Sequence, residues 1–156
     1  MSKSLKRVEA ALAAAGLSVD IRETDDRART AEGAAAAVGC AVDQIAKSII
    51  FRGEGTGHVV LFLTAGGNRV DPTKATAAAG QPLGKANADL IRAETGFAIG
   101  GVAPVGHLNR IAAFFDPRLL EFDTVWAAAG TPRHVFAIAP RELLRLTGAE
   151  LAEFTG

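Results

Sequence analysis

The sequence contains a single cysteine, Cys40, among 156 residues, which excludes an internal disulfide framework. A reduced, cytoplasmic setting is the default for such a chain. The three histidines, His58, His107 and His134, are scattered, and no Cys–His cluster has zinc spacing. We therefore expect neither a metal nor any other cofactor.

Long apolar runs and an excess of one charge are also absent. Because no stretch of about 18 apolar residues occurs, we expect a soluble protein without a membrane partner. Seventeen Lys+Arg balance seventeen Asp+Glu, so the formal net charge is zero. This balance argues against a strongly electrostatic nucleic-acid binder and against a DNA partner. It still permits an enzyme that binds only one end of an RNA.

Familiar catalytic and nucleotide-binding motifs are missing as well. The chain has no P-loop and no dinucleotide-binding glycine fingerprint. No nucleophile–histidine–acid triad and no pair of carboxylates stands out. Any chemistry must therefore depend on less familiar features.

Alternating helical and strand patterns run along the whole chain, which predicts one domain over residues 1–156. The predicted helices are Ser2–Ala15, Thr30–Val38, Asp71–Ala79, a segment from Asn87 or Asp89 to Thr95, and Arg141–Leu146. The predicted strands are Leu17–Arg22, Lys47–Arg52, His58–Thr64, Phe97–Ile99, Ala112–Asp116, Thr124–Ala128 and His134–Ala139. Asp43 is expected to cap a short turn before the second strand. Strands adjacent in sequence imply antiparallel pairing, so the predicted class is mixed α/β (α+β), a largely antiparallel sheet flanked by helices.

Lys47 is the first candidate functional residue. Strand alternation puts it on the same face as Ile49 and Phe51, which is an apolar face. A lysine there either extends its ammonium to water or serves a polar site at the end of the sheet. Alternation alone leaves both interpretations open.

Two small-residue segments follow. Gly100–Gly106 is rich in glycine, so its backbone can approach a ligand closely and its amides can stabilise a carbonyl or an oxyanion. Ala127–Arg133 lies between two strands, where small side chains keep a cavity open or simply allow a tight turn. An ordinary turn remains an alternative for both segments.

These segments, in this order, resemble the YbaK/prolyl-tRNA-synthetase-associated (INS-like) editing domain family. Residues 43–51 are similar to the segment that bears the family's lysine, and Gly100 to Pro104 resembles its Gly-x-x-x-Pro loop. Ala129–Gly130 with residues 133–146 resembles the family's small-residue turn, strand and closing helix. Residues 68–71 with Lys74 are similar to the stretch between hairpin and helix.

The resemblance implies a curved mixed sheet and a metal-independent deacylase that hydrolyses the ester of a mischarged tRNA, tRNA(Pro) carrying a small wrong amino acid. It implies that Lys47 positions the 3′-terminal nucleotide and that Gly100 and Gly101 hold the aminoacyl carbonyl. The attacking water is oriented by the substrate's own neighbouring hydroxyl. The remaining substrate-binding residues that it implies are Val102, Ala103, Pro104, Ala128 and Gly130. A valine at Gly101 would then fill the space of the carbonyl.

The chain departs from the family's cysteine-specific branch. Ala128 and Val135 stand where that branch carries a serine and an aspartate, and Ala103 replaces a serine before the loop proline. The more apolar pocket leaves alanine, serine, threonine or a small non-protein amino acid open. The expected partners are the 3′ acceptor end of a mischarged tRNA and prolyl-tRNA synthetase. Alternatives are a non-catalytic tRNA- or synthetase-binding module and a small-molecule hydrolase or amino-acid-binding protein.

Overall fold

The computed structural model describes residues 2–156, except for the side chains of Asp26 and Arg27. Its helices are α1 (Lys3–Ala14), α2 (Ala31–Val38), α3 (Pro72–Ala79), α4 (Ala88–Thr95) and α5 (Pro140–Thr147). Its strands are β1 (Ile21–Glu23), β2 (Ile45–Gly53), β3 (Val59–Ala65), β4 (Leu83–Lys85), β5 (Ala112–Phe115), β6 (Val125–Ala128), β7 (His134–Ile138) and β8 (Glu150–Leu151). Short 3₁₀ turns cover Asp26–Arg29, Val42–Gln44 and Pro117–Glu121.

The helices begin and end at the residues that the sequence singles out. Thr30 Oγ1 accepts the Gly33 N–H at the start of α2, and Gly39 ends that helix with a φ of +77°. Asp71 caps α3 in the same way, and Asn87, rather than Asp89, caps α4. Side-chain acceptors satisfy helix-start N–H groups, and glycine alone adopts the positive φ of the stop without strain.

All eight strands belong to one sheet, in the order β1-β7-β6-β2-β3-β5-β8, with β4 added beside β2. The predicted hairpin is confirmed as β2 and β3, paired antiparallel from Ala46 to Arg52 on β2. Four pairings are antiparallel and three are parallel. The mixed α/β class is therefore confirmed.

Helices cover both faces of this sheet. Alternate residues of β3, among them Leu61 and Leu63, join a core that includes α1 and α5. On the other face, Phe62 packs in a cluster with Ala75 of α3. On that second face the start of β2 lies in a separate cluster, in which Ala34 of α2 joins Trp126 of β6. Two apolar clusters thus share one face and meet along β2.

Three sequence predictions are wrong in detail. The first strand begins only at Ile21, because β7 pairs with residues 21–23 alone. Phe97–Ile99 forms no strand, since the Gly101 N–H closes a turn onto the Ala98 carbonyl. Asp43 does not cap its turn: Ala41 holds that position, and Asp43 accepts the Gly67 N–H instead. The two-to-three-residue strands β4 and β8 are too short for periodicity to reveal.

No helix within residues 2–156 is long and apolar enough to cross a membrane.

Candidate active site

One edge of β2 is interrupted. That edge pairs with β6 at Ile45 and Ala46 and with β4 from Phe51 onward. Residues 47–50 have no strand beside them on this edge in the described chain, a gap of about 13 Å at the usual rise per residue. Lys47 therefore lies at a break in the sheet, between the two apolar clusters of one face.

A cavity of about 270 Å³ opens at this break. Its walls come from five segments of the chain, namely the start of α2 with the residues just before it, the first half of β2, the glycine loop before β5, β6 and β7. The wall is mostly apolar, with Ala31, Ala34, Ile45, Ile49, Val102, Trp126, Ala127, Ala128 and Val135. The polar residues at the wall are Arg29, Thr30, Lys47 and Ser48.

Lys47 is half-buried, and its Nζ donates a hydrogen bond of 3.1 Å to the Gly66 carbonyl oxygen. The same side chain borders a second depression of about 530 Å³, lined also by Asn68 and Arg69. Lys47 thus stands between an apolar cavity and a more polar groove. Its ammonium is therefore hydrogen-bonded within the fold at the junction of the two depressions.

Positive charge predominates around both depressions. Arg29 at the cavity and Arg69 at the groove are exposed, and neither guanidinium has an ion-pair or hydrogen-bond partner among the side chains and backbone groups that the structure describes. Glu32 is the one acidic residue among the described groove and cavity walls. Guanidinium and ammonium groups in this arrangement suit a phosphodiester.

The glycine loop contributes Gly100 and Val102 to the cavity. Gly100 has a φ of +92°, and a Cβ built there would meet open space. Within the part of the chain that the structure describes, the N–H groups of Gly100 and Val102 form no hydrogen bond. They are unpaired donors in a segment that lines the cavity.

Gly101 differs from its neighbour. Its φ is not positive, and a Cβ there would lie 2.8 Å from the backbone of Thr131. Gly101 is therefore a packing glycine behind the cavity. This corrects the expectation that a side chain at Gly101 would enter the ligand space, because that direction is already filled by the turn before β7.

The eight predicted site residues divide into two groups. Those at the cavity wall are Lys47, Gly100, Val102 and Ala128. Those behind or away from it are Gly101, Ala103, Pro104 and Gly130: Ala103 is fully buried, Pro104 borders a different depression, and a Cβ on Gly130 would lie 2.7 Å from the Ser4 carbonyl. The first group can therefore contact a ligand, whereas the second group can only support the backbone around the cavity.

Two side chains donate hydrogen bonds to backbone carbonyls in and beside the glycine loop. Arg7 of α1 donates to the Gly106 carbonyl at 2.9 Å and to the Gly96 carbonyl at 2.6 Å. His107 Nε2 donates to the Ala103 carbonyl at 2.7 Å. Burial lowers the pKa of His107 from its usual value, and the charge of Arg7 acts in the same direction. The folded chain therefore favours the neutral imidazole more than solvent does.

Sequence reasoning missed Arg29, Trp126 and Ser48 as wall residues. Ser48 Oγ is the only buried side-chain polar atom of the described residues without a hydrogen-bond partner. Alternation could not assign Ser48 to the cavity, because it belongs to the opposite face of β2 from Lys47. Only the gap beside β2 exposes both residues to one space.

The described cavity wall contains no aspartate, glutamate, histidine or cysteine. Among the other side chains that the structure describes, no group of three aspartate, glutamate, histidine or cysteine residues is close enough to hold a metal ion. The wall therefore offers cations, hydroxyls and backbone donors, which can orient and polarise a substrate.

A model of the aminoacyl-tRNA editing domain matches residues 25–146. The chain is 33% identical over 124 residues to the uncharacterized protein YwhH of Bacillus subtilis, covering 80% of this chain and 78% of that protein. It is 26% identical over 127 residues to the "Putative Cys-tRNA(Pro)/Cys-tRNA(Cys) deacylase EbsC" of Enterococcus faecalis, covering 81% and 77%.

A solved structure shares the whole fold. The crystal structure of "a putative trans-editing enzyme for prolyl tRNA synthetase" superposes with a TM-score of 0.91 at 47% identity, covering 100% of this chain and 99% of that one. The region that superposes on this structure contains every segment that lines the cavity.

Proposed function

From the membership of this chain in the aminoacyl-tRNA editing domain family, we propose that it acts in trans on tRNA(Pro) carrying a small wrong amino acid. Family membership supports aminoacyl-tRNA deacylation in general. The tRNA and the amino acid are the finer part of the proposal. They draw on the likeness to the trans-editing structure and to the EbsC protein.

The observation that carries the proposal is the meeting of Lys47, Gly100, Val102 and Ala128 at one cavity. These residues come from three distant segments, and each has a property that an ester of tRNA requires. Lys47 supplies a cation, Gly100 and Val102 supply N–H donors, and Ala128 leaves room for a small acyl group.

The two depressions suit the two halves of such a substrate. The apolar cavity accommodates the aminoacyl side chain, and the groove beyond Lys47 accommodates the terminal nucleotide and its phosphate near Arg69. Lys47 then lies at the junction, where the ester joins the ribose. The free N–H groups polarise the ester carbonyl as negative charge develops on its oxygen.

Water is the nucleophile in this proposal. Since the described wall holds no carboxylate or imidazole to act as a general base, the neighbouring ribose hydroxyl of the substrate orients the water. Orientation and carbonyl polarisation are sufficient contributions for an ester that is already activated. We propose that the reaction needs no metal, so a chelator leaves turnover unchanged.

The mostly apolar wall favours a small amino acid, and Ser48 provides the neutral hydroxyl within it. A balanced net charge gives weak affinity for free tRNA, so prolyl-tRNA synthetase is the proposed partner at the acceptor end. Because its proposed substrate, aminoacylated tRNA, is used in the cytoplasm, we propose a cytoplasmic location.

A panel of tRNA(Pro) molecules charged with alanine, serine, threonine, cysteine, 2-aminobutyrate or proline tests the function. The expected result is rapid ester loss from at least one small wrong amino acid and slow loss from proline. Binding of tRNA without ester loss would instead identify a recruiting module. Hydrolysis of simple amino acid esters, with charged tRNA untouched, would identify a small-molecule hydrolase.

A further inference from the structure

We infer that Asp43 and Asp116 are positioning residues for Lys47, acting through the backbone turn of residues 65–68. This inference rests on the proposed function for its catalytic consequence. Neither carboxylate lines the cavity or the groove. Both are bound to the turn whose Gly66 carbonyl oxygen accepts the hydrogen bond from Lys47 Nζ.

Asp43 holds the turn from one side. Its Oδ1 accepts the Gly67 N–H at 2.8 Å, and its Oδ2 accepts from Arg118 Nε at 3.0 Å. Because Arg118 occupies the second oxygen, the first is kept directed at Gly67. The peptide unit that joins Gly66 to Gly67 is thereby restrained at its N–H end.

Asp116 holds the turn from the other side. This residue is only 3% exposed, and its Oδ2 accepts both the Ala65 N–H at 3.0 Å and Asn68 Nδ2 at 2.9 Å. Its Oδ1 accepts the Arg118 N–H, so both oxygens are hydrogen-bonded. A buried carboxylate that receives three donors is a rigid anchor.

The turn has no space in which to relax. A Cβ on Gly66 would lie 2.2 Å from the Val42 carbonyl oxygen, and one on Gly67 would lie 2.4 Å from Asp43 Oδ1. Val42 and Asp43 thus press against the turn where side chains would otherwise stand. The Gly66 carbonyl is consequently presented to Lys47 in one orientation, and the flexible lysine side chain acquires a fixed end point.

The experiment compares Asp43→Ala with Asp43→Asn, each alone and combined with Lys47→Ala. Asp43 is the better probe because its side chain is partly exposed, whereas Asp116 is buried and its replacement endangers folding. We expect Asp43→Ala to lower the deacylation rate about tenfold, the effect of losing one oriented hydrogen bond. Asp43→Asn keeps an acceptor for Gly67 and should restore most of the rate.

The double variant separates positioning from general destabilisation. Once Lys47 is alanine, Asp43→Ala should change the residual rate less than twofold, because the group that it positions is gone. An equal tenfold loss in both backgrounds would overturn the inference. Asn87→Ala removes a side-chain acceptor from a backbone N–H, that of Leu90, at a residue that lines neither the cavity nor the groove. It serves as the matched control and should change the rate little.

A spectroscopic measurement makes the inference independent of the proposed activity. In protein with ¹⁵N-labelled lysine side chains, the Lys47 ammonium signal should shift and exchange faster in Asp43→Ala than in the parent or in Asn87→Ala. An unchanged Lys47 signal would contradict the inference. If the parent hydrolyses none of the charged tRNAs, the proposed function fails, and this measurement alone decides the positioning role.

Discussion

Two Gly-Gly pairs flank the candidate site, and they differ in what surrounds them. At Gly66–Gly67, a Cβ on the first glycine would meet the Val42 backbone and one on the second would meet the Asp43 carboxylate. At Gly100–Gly101, a Cβ on the second glycine would lie 2.8 Å from the Thr131 backbone, but the first glycine has a positive φ and faces open space. The same dipeptide therefore forms a fixed support on one side of the site and a wall with free space on the other.

Opposite kinds of side chain hold the two segments. Carboxylates of Asp43 and Asp116 accept the N–H groups of the first turn, which leaves the Gly66 carbonyl for Lys47. Arg7 and His107 donate to carbonyls of the second loop, where the N–H groups of Gly100 and Val102 have no partner within residues 2–156. The polarity of the supporting side chains thus decides which backbone group each segment offers to a ligand.

The largest expected effect is that of Lys47→Ala, which removes the group that the first turn supports. Loss of a charge-assisted contact of about 1.5–3 kcal/mol should reduce deacylation by one to two decades, with the fold intact. Steady-state deacylation and a thermal melt measure both. Lys74→Ala is a suitable control, since Lys74 also donates to a backbone carbonyl, that of Thr155. Full activity of folded Lys47→Ala would remove this lysine from the mechanism.

Gly66→Ala tests whether the first turn is truly closed to side chains. The added methyl would require Val42 or the turn to move, and such overpacking typically costs about 1–3 kcal/mol. We expect a lower denaturation midpoint and a parallel loss of activity through displacement of the Lys47 acceptor. Normal stability would show that the turn can yield, and the contrast between the two glycine pairs would disappear.

Gly100→Ala and Gly101→Ala separate the two roles within the second pair. Alanine at Gly100 carries a conformational strain of about 1–2 kcal/mol and directs a methyl group into the open space. Alanine at Gly101 meets the Thr131 backbone, so its main effect should be on stability. For equal losses of stability, we expect Gly100→Ala to lose more deacylation activity. The reverse order would make Gly101 the residue that contacts the substrate.

The smallest expected effect is a pH dependence of the free energy of unfolding, which arises from His107 beside the second loop. Because the pKa of buried His107 is lowered, the unfolded chain binds a proton near pH 6.5 that the folded chain does not yet bind. The contribution of neutral His107 to the stability of the folded chain is therefore complete above that pH. It declines as the pH falls toward the folded-state pKa. Urea denaturation between pH 7.5 and pH 5 should show a shallow decline that His107→Gln reduces. An identical decline in that variant would assign the effect to other groups.

The local elements could be predicted well from the sequence. Thr30, Asp71 and Asn87 cap helices, and the hairpin alternates along its length, because these signals depend on neighbours within a few residues. The prediction of a strand at Phe97–Ile99 is wrong because three apolar residues also occur in turns that bury one aromatic ring. Phe97 is buried in such a turn here. The three parallel pairings join distant segments, and no local pattern reports them.

The sequence by itself determined the helix caps at Thr30 and Asp71, the β2–β3 hairpin and, through the resemblance of its motifs, the family. The role of Lys47 stays a prediction. Only the tertiary structure decided that Gly100 rather than Gly101 faces the cavity, that Ser48 reaches it from the opposite strand face, and that Asp43 and Asp116 support Lys47 from outside. The physical reason is distance along the chain. Capping and alternation act over a few residues. The gap beside β2 and the placement of the two carboxylates arise only when segments distant in the chain pack together.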